Sequence, residues 1–457
     1  MKKQELVDAC PGLQGFFGLA EADITPTLDI YARNWGAAKQ DRYQEIHRPL
    51  CMQCLAISTT KDAKALFLLT ADLGWWKNAA DEQRIRQAIL SACQLTEDQL
   101  LLCLSHTHAG PVICSTDYDK PGGEHIVPYL QLLVEKAITL IRQCTENKVS
   151  AKLTWKYGTC DLAANRDLDL EGEMLVGFNP AGAADQTLLV GLLEKDNGEK
   201  LAVLVNYACH PTTLAHENIA LSPDYIGAMR ELVRAHTGAA CLFLQGASGE
   251  LAPREQYVAD PAIADAHGRK LAYAVLSTLT GMLPAGEALL YTGKIPSGAD
   301  LAVWTRGEYE MPDTIKAVLL TVDLPLKPLG AVEEIEQAWT NCQDRVLKDR
   351  LWRKLNTLRS LGNGNTAKAK LWIWKLGAVL LVAQPNETYA CYQQQLRAAF
   401  PDTILAVVNI ANGYIGYLPP ASLYAKTMYA VEQTPYAKGA LEILIKSTIS
   451  ALQTIKP

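Results

Sequence analysis

The sequence predicts an α/β fold in which a largely buried sheet is covered by helices. Short apolar runs rich in Val, Ile and Leu alternate with longer stretches of helical spacing. The 457 residues are 49% apolar and 20% charged, a balance that suits a large core rather than a disordered chain. No unit of about 20–50 residues repeats, which excludes solenoids and propellers.

The strand-like runs are, in order, Ala65–Thr70, Leu100–Leu104, Leu201–Cys209, Ala239–Leu244, Ala378–Ala383 and Ile404–Ile410. Between them Ala80–Cys93, Val127–Cys144, Ala262–Leu279 and Thr388–Ala399 place apolar residues at helical intervals. Gly281–Gly286 is a turn-rich break and the best internal boundary. Beyond it, Val332–Leu361 reads as one long charged helix or a helix pair, followed by a flexible Gly-Asn-Gly-Asn at Gly362–Asn365. Two strand-like runs come after this insertion, around residues 330–365. The chain therefore reads as one interleaved domain, 1–457, rather than two.

Charge and cysteine usage exclude several classes of function. With 43 Lys+Arg against 49 Asp+Glu, a net charge of −6 and no basic cluster, neither nucleic acid nor a stable membrane association is expected. No apolar run approaches the roughly 18 residues that span a bilayer. The start, MKKQELVDACPGLQGFFG, carries two lysines but no apolar stretch behind them, so the expected location is cytoplasmic. Most of the 12 cysteines, among them Cys103, Cys209 and Cys241, sit inside apolar runs and read as free thiols of a reducing compartment. Cys51 and Cys54 form a lone CxxC and read as buried strand residues.

The residues that follow the apolar runs carry the chemistry. They are Ser105-His106-Thr107-His108-Ala109-Gly110-Pro111, His210-Pro211-Thr212, Gln245-Gly246-Ala247-Ser248-Gly249-Glu250, Gln384-Pro385-Asn386-Glu387 and Asn412-Gly413-Tyr414-Ile415-Gly416-Tyr417. Ligands of open α/β sheets bind beyond the carboxyl ends of strands, so five such ends converge if the strands run in parallel. His106 and His108, two apart, share a face on an extended segment. With His210 and Glu387 they offer nitrogen and oxygen donors suited to Zn²⁺, which takes about four and keeps a position open when catalytic.

Ser105–Pro111 resembles the S/T-H-T-H-S-G-P motif of the neutral/alkaline, non-lysosomal ceramidase family. Ala22-Asp23-Ile24-Thr25-Pro26, Ile46-His47-Arg48-Pro49-Leu50, Asn165-Arg166, His210-Pro211-Thr212, Glu387 and Asn412–Tyr417 follow in the family's order. The match runs from about residue 15 to the C-terminus and covers the catalytic domain alone, with nothing corresponding to the C-terminal immunoglobulin-like domain. The resemblance implies a zinc-dependent amidase with mixed β-sheets flanked by helices. It implies His106, His210, Glu387 and Tyr417 as zinc ligands, with Tyr414 as the fallback for Tyr417. His108, Arg166, Asn165, Tyr429 and Gly36 are carried over as residues that bind substrate, the first two near the scissile carbonyl.

The family's Gly-Asp/Asn-x-Ser-Pro-Asn loop appears as Gly249-Glu250-Leu251-Ala252-Pro253-Arg254. Ala252 stands where some accounts place a serine nucleophile, while the acidic neighbour is kept as Glu250. That favours a metal-activated water with Glu250 as general base, which then protonates the leaving amine. Ser248 does not replace the serine, because a Gly-x-Ser-x-Gly elbow needs glycine where Glu250 stands. Asp72 and Asp224 read as either carboxylates that orient a ligand or helix caps. His47, His125 and His216 read as loop residues, and Trp35, Trp75, Trp76 and Trp304 as core residues or pocket walls. The expected function is hydrolysis of a linear amide in a small, soluble N-acyl compound. An esterase or lactonase of the same chemistry, a true ceramidase and a non-catalytic metal-binding protein are the alternatives.

Overall fold

A computed structural model describes residues 7–361 and 364–455. Gly362 and Asn363 of the expected flexible tract lie outside the described residues. An eight-stranded sheet runs in the order Ala240–Gln245, Lys200–Tyr207, Thr187–Glu194, Val149–Thr159, Gly12–Asp23, Cys51–Ser58, Leu66–Ala71, Leu100–Leu104. A four-stranded sheet follows the order Ile315–Pro325, Thr366–Leu376, Val379–Ala383, Ile404–Val408. The expected α/β class holds, and both sheets are mixed.

Alternation along single strands shows how the layers stack. Leu100, Leu102 and Leu104 pack with the helices Ala79–Cys93 and Ile126–Glu146, while Leu101 and Cys103 face the second sheet. Trp372 and Trp374 meet Leu13 and Trp155 in that same inter-sheet core, and their indoles donate to the carbonyls of Glu97 and Asp98 at 2.9 and 2.8 Å. Leu371 and Ile373, on the other face, pack with Cys391–Ala399 and Ala440–Ile455. The result is four layers, helix–sheet–sheet–helix. Strands from before and after Gly281–Gly286 share one core, and the break leads first to a largely exposed three-stranded sheet, Val7–Ala9, Glu287–Ile295 and Leu301–Glu308.

Within these two sheets three strand pairs are parallel: Leu66–Ala71 with Leu100–Leu104, Lys200–Tyr207 with Ala240–Gln245, and Val379–Ala383 with Ile404–Val408. Each is joined by one crossover helix, respectively Ala79–Cys93, Tyr225–Thr237 and Cys391–Ala399. These six strands are the six apolar runs of the sequence, because a strand covered on both faces carries no polar alternation. The first crossover helix starts where Asn78 accepts Ala80 N–H at 2.9 Å, with Asp81 and Glu82 in its positive first turn.

The insertion is a helix pair, Val332–Asn341 and Arg345–Leu361, set between the antiparallel strands Ile315–Pro325 and Thr366–Leu376. Arg33–Asp349 at 2.6 Å, Arg345–Asp41 at 2.5 Å and Trp352 Nε1 to Asp117 at 2.7 Å tie it to loops of the larger sheet. It thereby reaches over the strand ends where the site lies.

Candidate active site

His106, His210 and Glu387 follow the carboxyl ends of strands ending at Leu104, Tyr207 and Ala383, one from each parallel pair. The extended His-Thr-His segment expected from its spacing is not what forms: His106 has φ +70°, and its N–H donates to Leu73 O at 2.9 Å. This kink still brings both rings to one cavity, in edge contact with centroids 5.0 Å apart.

Three backbone carbonyls fix the histidine tautomers. His106 Nδ1 lies 3.2 Å from Gly74 O, and His210 Nδ1 lies 2.6 Å from Ser248 O and 3.2 Å from Leu251 O. A carbonyl only accepts, so Nδ1 is the protonated nitrogen and each Nε2 presents a lone pair. Both lone pairs face Glu387 Oε2, at 3.4 Å from His106 and 2.8 Å from His210. His106 Nε2 is buried with no hydrogen-bond partner. Nitrogens of His106, His108 and His210 lie within 4.8 Å of one another. Three buried acceptors aimed at one point suit a divalent cation with nitrogen and oxygen ligands, zinc among them. Tyr414 OH donates to Glu387 Oε1 at 2.6 Å and orients the carboxylate.

Arg166 joins the remaining pieces. Its Nη2 lies within hydrogen-bond reach of Gly249 O at 2.9 Å, Tyr417 OH at 3.1 Å and His210 Nε2 at 3.1 Å, and its backbone N–H donates to Glu250 O at 2.8 Å. A Cβ on Gly249 would stand 2.6 Å from Tyr389 Cδ1, so this loop needs glycine to come so close to the Glu387 segment. Glu387 and Tyr417 are paired residues of two short parallel strands. Tyr417 thus meets the guanidinium while Tyr414 meets the carboxylate.

His108 lies between Trp75 and Trp35, at ring separations of 4.7 and 5.1 Å, and neither ring nitrogen has a partner. Burial, reinforced by His106 and His210, pushes its pKa well down and keeps the ring neutral. It lines two cavities, of about 150 and 390 Å³, that also share Arg353, Tyr417 and Tyr429. His106, Glu387 and Trp75 line the smaller; Gly36, Arg166 and Tyr257 line the larger.

Three expected site residues are not on these walls: Asn165, Glu250 and His210, the last lying behind them against Glu387. Asn165 accepts Asp167 N–H at 2.9 Å and donates to Ala183 O at 3.3 Å, and its strand pairs with Leu251–Pro253. Glu250 turns both oxygens to Ala390 N–H, at 3.0 and 2.9 Å, at the start of a helix. Burial raises its pKa to about 8, and its carboxyl faces a backbone N–H rather than either cavity. Ser248 Oγ accepts from Gln245 Nε2 at 2.6 Å, and Ala252 is buried.

Asp224 is the cap of Tyr225–Thr237, accepting Tyr225 N–H at 2.7 Å, while Asp72 forms a two-pronged ion pair with Arg230 at 2.8 Å. His47 contacts Ser222 at 2.9 Å and Asp265 at 3.1 Å, and His125 is exposed beside Glu124. His216 lines the larger cavity, as does Trp35; Trp75 and Trp76 line the smaller, and Trp304 lies on the peripheral sheet. Sequence reasoning missed Lys77, Tyr257 and Arg353. Tyr257, at φ +65°, holds a costly conformation at the cavity wall, which no sequence pattern announces. All 12 cysteines are free. Among the described residues no helix is long and apolar enough to cross a membrane.

No protein-family model matches the chain, and no curated protein does. Solved structures do. A ceramidase complexed with C2 superposes with a TM-score of 0.69 at 16% identity, over 98% of this chain and 76% of that one. A neutral ceramidase from Pseudomonas aeruginosa gives 0.68 at 16% identity over the same shares. This chain therefore has the fold of the neutral ceramidases, the family its motifs resemble, over nearly its whole length.

Proposed function

We propose that the chain is a metal-dependent hydrolase of a linear carbon–nitrogen bond, with Zn²⁺ as the expected metal and a small, soluble N-acyl compound as substrate. The observation that carries this reading is the convergence of His106 Nε2, His210 Nε2 and Glu387 Oε2, three buried acceptors of which the first has no partner. His106, His210 and Glu387 would hold the metal, with Tyr417 as a fourth ligand. Such a metal polarises a carbonyl and makes water acidic enough to attack near neutral pH.

The chain's own residues supply the rest. His108, with both ring nitrogens unpartnered at the cavity, would relay the proton of the attacking water to the departing nitrogen as the C–N bond breaks, its weak basicity favouring release over retention. Arg166, fixed by Gly249 O, sets a permanent positive charge at the cavity wall and stabilises negative charge developing on the carbonyl oxygen. Trp35 and Trp75 hold the His108 ring and exclude water around it. Glu250 acts at one remove: its carbonyl anchors Arg166 N–H and its carboxyl anchors Ala390 N–H, three residues beyond Glu387.

The test is metal analysis of purified protein with a panel of short amides and esters, for wild type and His108→Gln. The expected result is bound zinc in both and amide turnover in the wild type alone. Turnover of esters without amides would move the reading to an esterase. Turnover without metal would remove it.

A further inference from the structure

Two cations at the wall of the metal-side cavity have no carboxylate within ion-pair distance among the described residues. Arg353, on the insertion helix Arg345–Leu361, and Lys77, just after the Trp75–Trp76 pair, lie 5.9 and 5.5 Å from the ring centroid of Trp75. Arg353 donates to Asn34 O at 3.1 Å and reaches Tyr429 OH at 3.5 Å; Lys77 reaches Arg33 O at 3.4 Å. Neither makes an ion pair among the described residues.

The nearby acids are already engaged. Asp349 pairs with Arg33 at 2.6 Å, Asp117 accepts from Trp352 at 2.7 Å, and Glu387 Oε2 faces His106 and His210. Burial lowers Lys77 to about 8, more than the charges of Asp117 and Asp349, both beyond ion-pair distance, restore. Arg353 and Lys77 are both half-buried beside the Trp75 ring, and an anion sharing the site offsets the desolvation of their charges. Arginine presents a planar fork of donors, and two of its contacts here are to neutral oxygens, leaving N–H groups for a ligand. Both side chains line the cavity that contains His106, His108 and Glu387.

We propose that the substrate carries an anionic group, a carboxylate or a phosphate, bound by Arg353 and Lys77 beside Trp75 and next to the proposed metal ligands. This rests on the hydrolase reading, and it narrows the substrate to acyl compounds of a charged amine part, such as N-acyl amino acids. Arg353 is then a specificity residue on an element that the sequence shows only as a charged helix.

The test separates binding from turnover. The probe is a keto-acid isostere of N-butyrylglycine, in which CH₂ replaces the amide N–H so that nothing is cleaved, compared with its carboxamide on the purified protein. The acid is expected to bind about 10–100-fold more tightly, the scale of a charge-assisted pair. Arg353→Gln should bring that ratio to within about threefold and Arg353→Lys should restore part of it. Lys77→Met should lower it independently should either arginine variant fold poorly. An O-phosphorylated N-butyrylethanolamine that outcompetes the acid assigns the anion to phosphate; the reverse order assigns it to a carboxylate. Equal binding of acid and carboxamide, or a ratio that survives Arg353→Gln and Lys77→Met, overturns the proposal. If the ratio holds while no amide or ester is turned over, the hydrolase reading fails and the anion site stands.

Discussion

His210 Nε2 lies 2.8 Å from Glu387 Oε2, while His210 Nδ1 donates to Ser248 O at 2.6 Å. The second contact decides the meaning of the first. With its proton committed to a carbonyl, the ring turns a lone pair toward a carboxylate, and two acceptors at that distance repel unless a positive charge joins them. Arg166 Nη2, 3.1 Å from the same nitrogen, supplies part of that charge. Burial, followed by this guanidinium, pulls His210 down to about 4, so the ring does not supply it by protonation. A metal ion shared with His106 Nε2 would satisfy all three groups at once.

The first prediction follows from that geometry. Purified protein should carry about one Zn²⁺ per chain by elemental analysis, and His106→Ala or His210→Ala should lose both metal and turnover, since the remaining ligands fall short of a catalytic set. Glu387→Gln should weaken metal binding by at least about tenfold, because it removes the one anionic ligand in the buried triad. Full zinc occupancy in the double histidine variant would mean that the metal sits elsewhere.

Glu250 gives a prediction in pH. Burial is the leading cause that raises it, from an ordinary 4.5 to about 8 in the folded protein. Between those values the folded state holds a proton that the unfolded state has released. The stability Glu250 contributes is therefore complete below about pH 4.5 and is lost as pH rises through about 8. Glu250→Gln keeps an acceptor for Ala390 N–H and abolishes the titration. Its melting temperature relative to wild type should rise by a few degrees between about pH 5 and pH 8.5. Turnover should fall less than about tenfold; a loss of about 10²-fold or more with zinc retained would return Glu250 to the role of base.

Ser248 tests the acyl-serine alternative. Its hydroxyl is buried against Gln245 Nε2, and its carbonyl, which a side-chain substitution leaves in place, is what holds His210. Ser248→Ala should cost about 1 kcal/mol of stability from one lost hydrogen bond, read by chemical denaturation, and less than about threefold in kcat. Abolished turnover with an unchanged fold and metal content would make Ser248 a nucleophile.

The sequence revealed those parts whose physics is local. Leu100–Leu104 and Val379–Ala383 are buried on both faces, so they stand out as unbroken apolar runs, and the residues after them, His106 and Glu387, could be found by position alone. Strands such as Gly12–Asp23, part polar on alternate positions, were not distinguishable from loops in that way. Ser105–Pro111 and Asn412–Tyr417 carried the resemblance because each holds several chemistry-bearing residues at short, fixed spacing. Arg353 was hidden because its helix is polar on most sides, and its burial comes from contacts with Asn34 and Trp75, more than 270 positions away in the chain. Glu250 and Asn165 were placed in the site by motif, but their side chains settle on Ala390 N–H and on Asp167 N–H instead. A motif fixes which residues are near; it does not fix where a side chain points.

The last prediction concerns substrate size and polarity. Burying acyl chain gains about 0.8 kcal/mol per methylene only where the wall is apolar and continuous. Here the cavity beside the proposed metal ligands measures about 150 Å³ and is interrupted by Lys77 and Arg353. The adjoining one, about 390 Å³, is bounded by Arg166, Arg350 and Arg353 as well as by Trp35 and Tyr257. Val346 and Arg353 of the insertion helix close over it, tied down by the Arg33–Asp349 pair. Ala252 is buried where the family's loop has serine, so the loop offers no hydroxyl to a polar headgroup. Two long hydrocarbon chains would have to lie against guanidinium groups, whereas a short acyl chain with a polar or charged amine part matches this wall. The kcat/KM for a short, soluble N-acyl compound should therefore exceed that for detergent-dispersed long-chain ceramide by about tenfold or more, the ratio that defines discrimination between competing substrates. Arg353→Leu should shift that ratio toward ceramide, because it replaces charge with hydrocarbon at the shared wall of both cavities. A clear preference of the wild type for ceramide would instead show that the insertion helix moves aside to admit lipid.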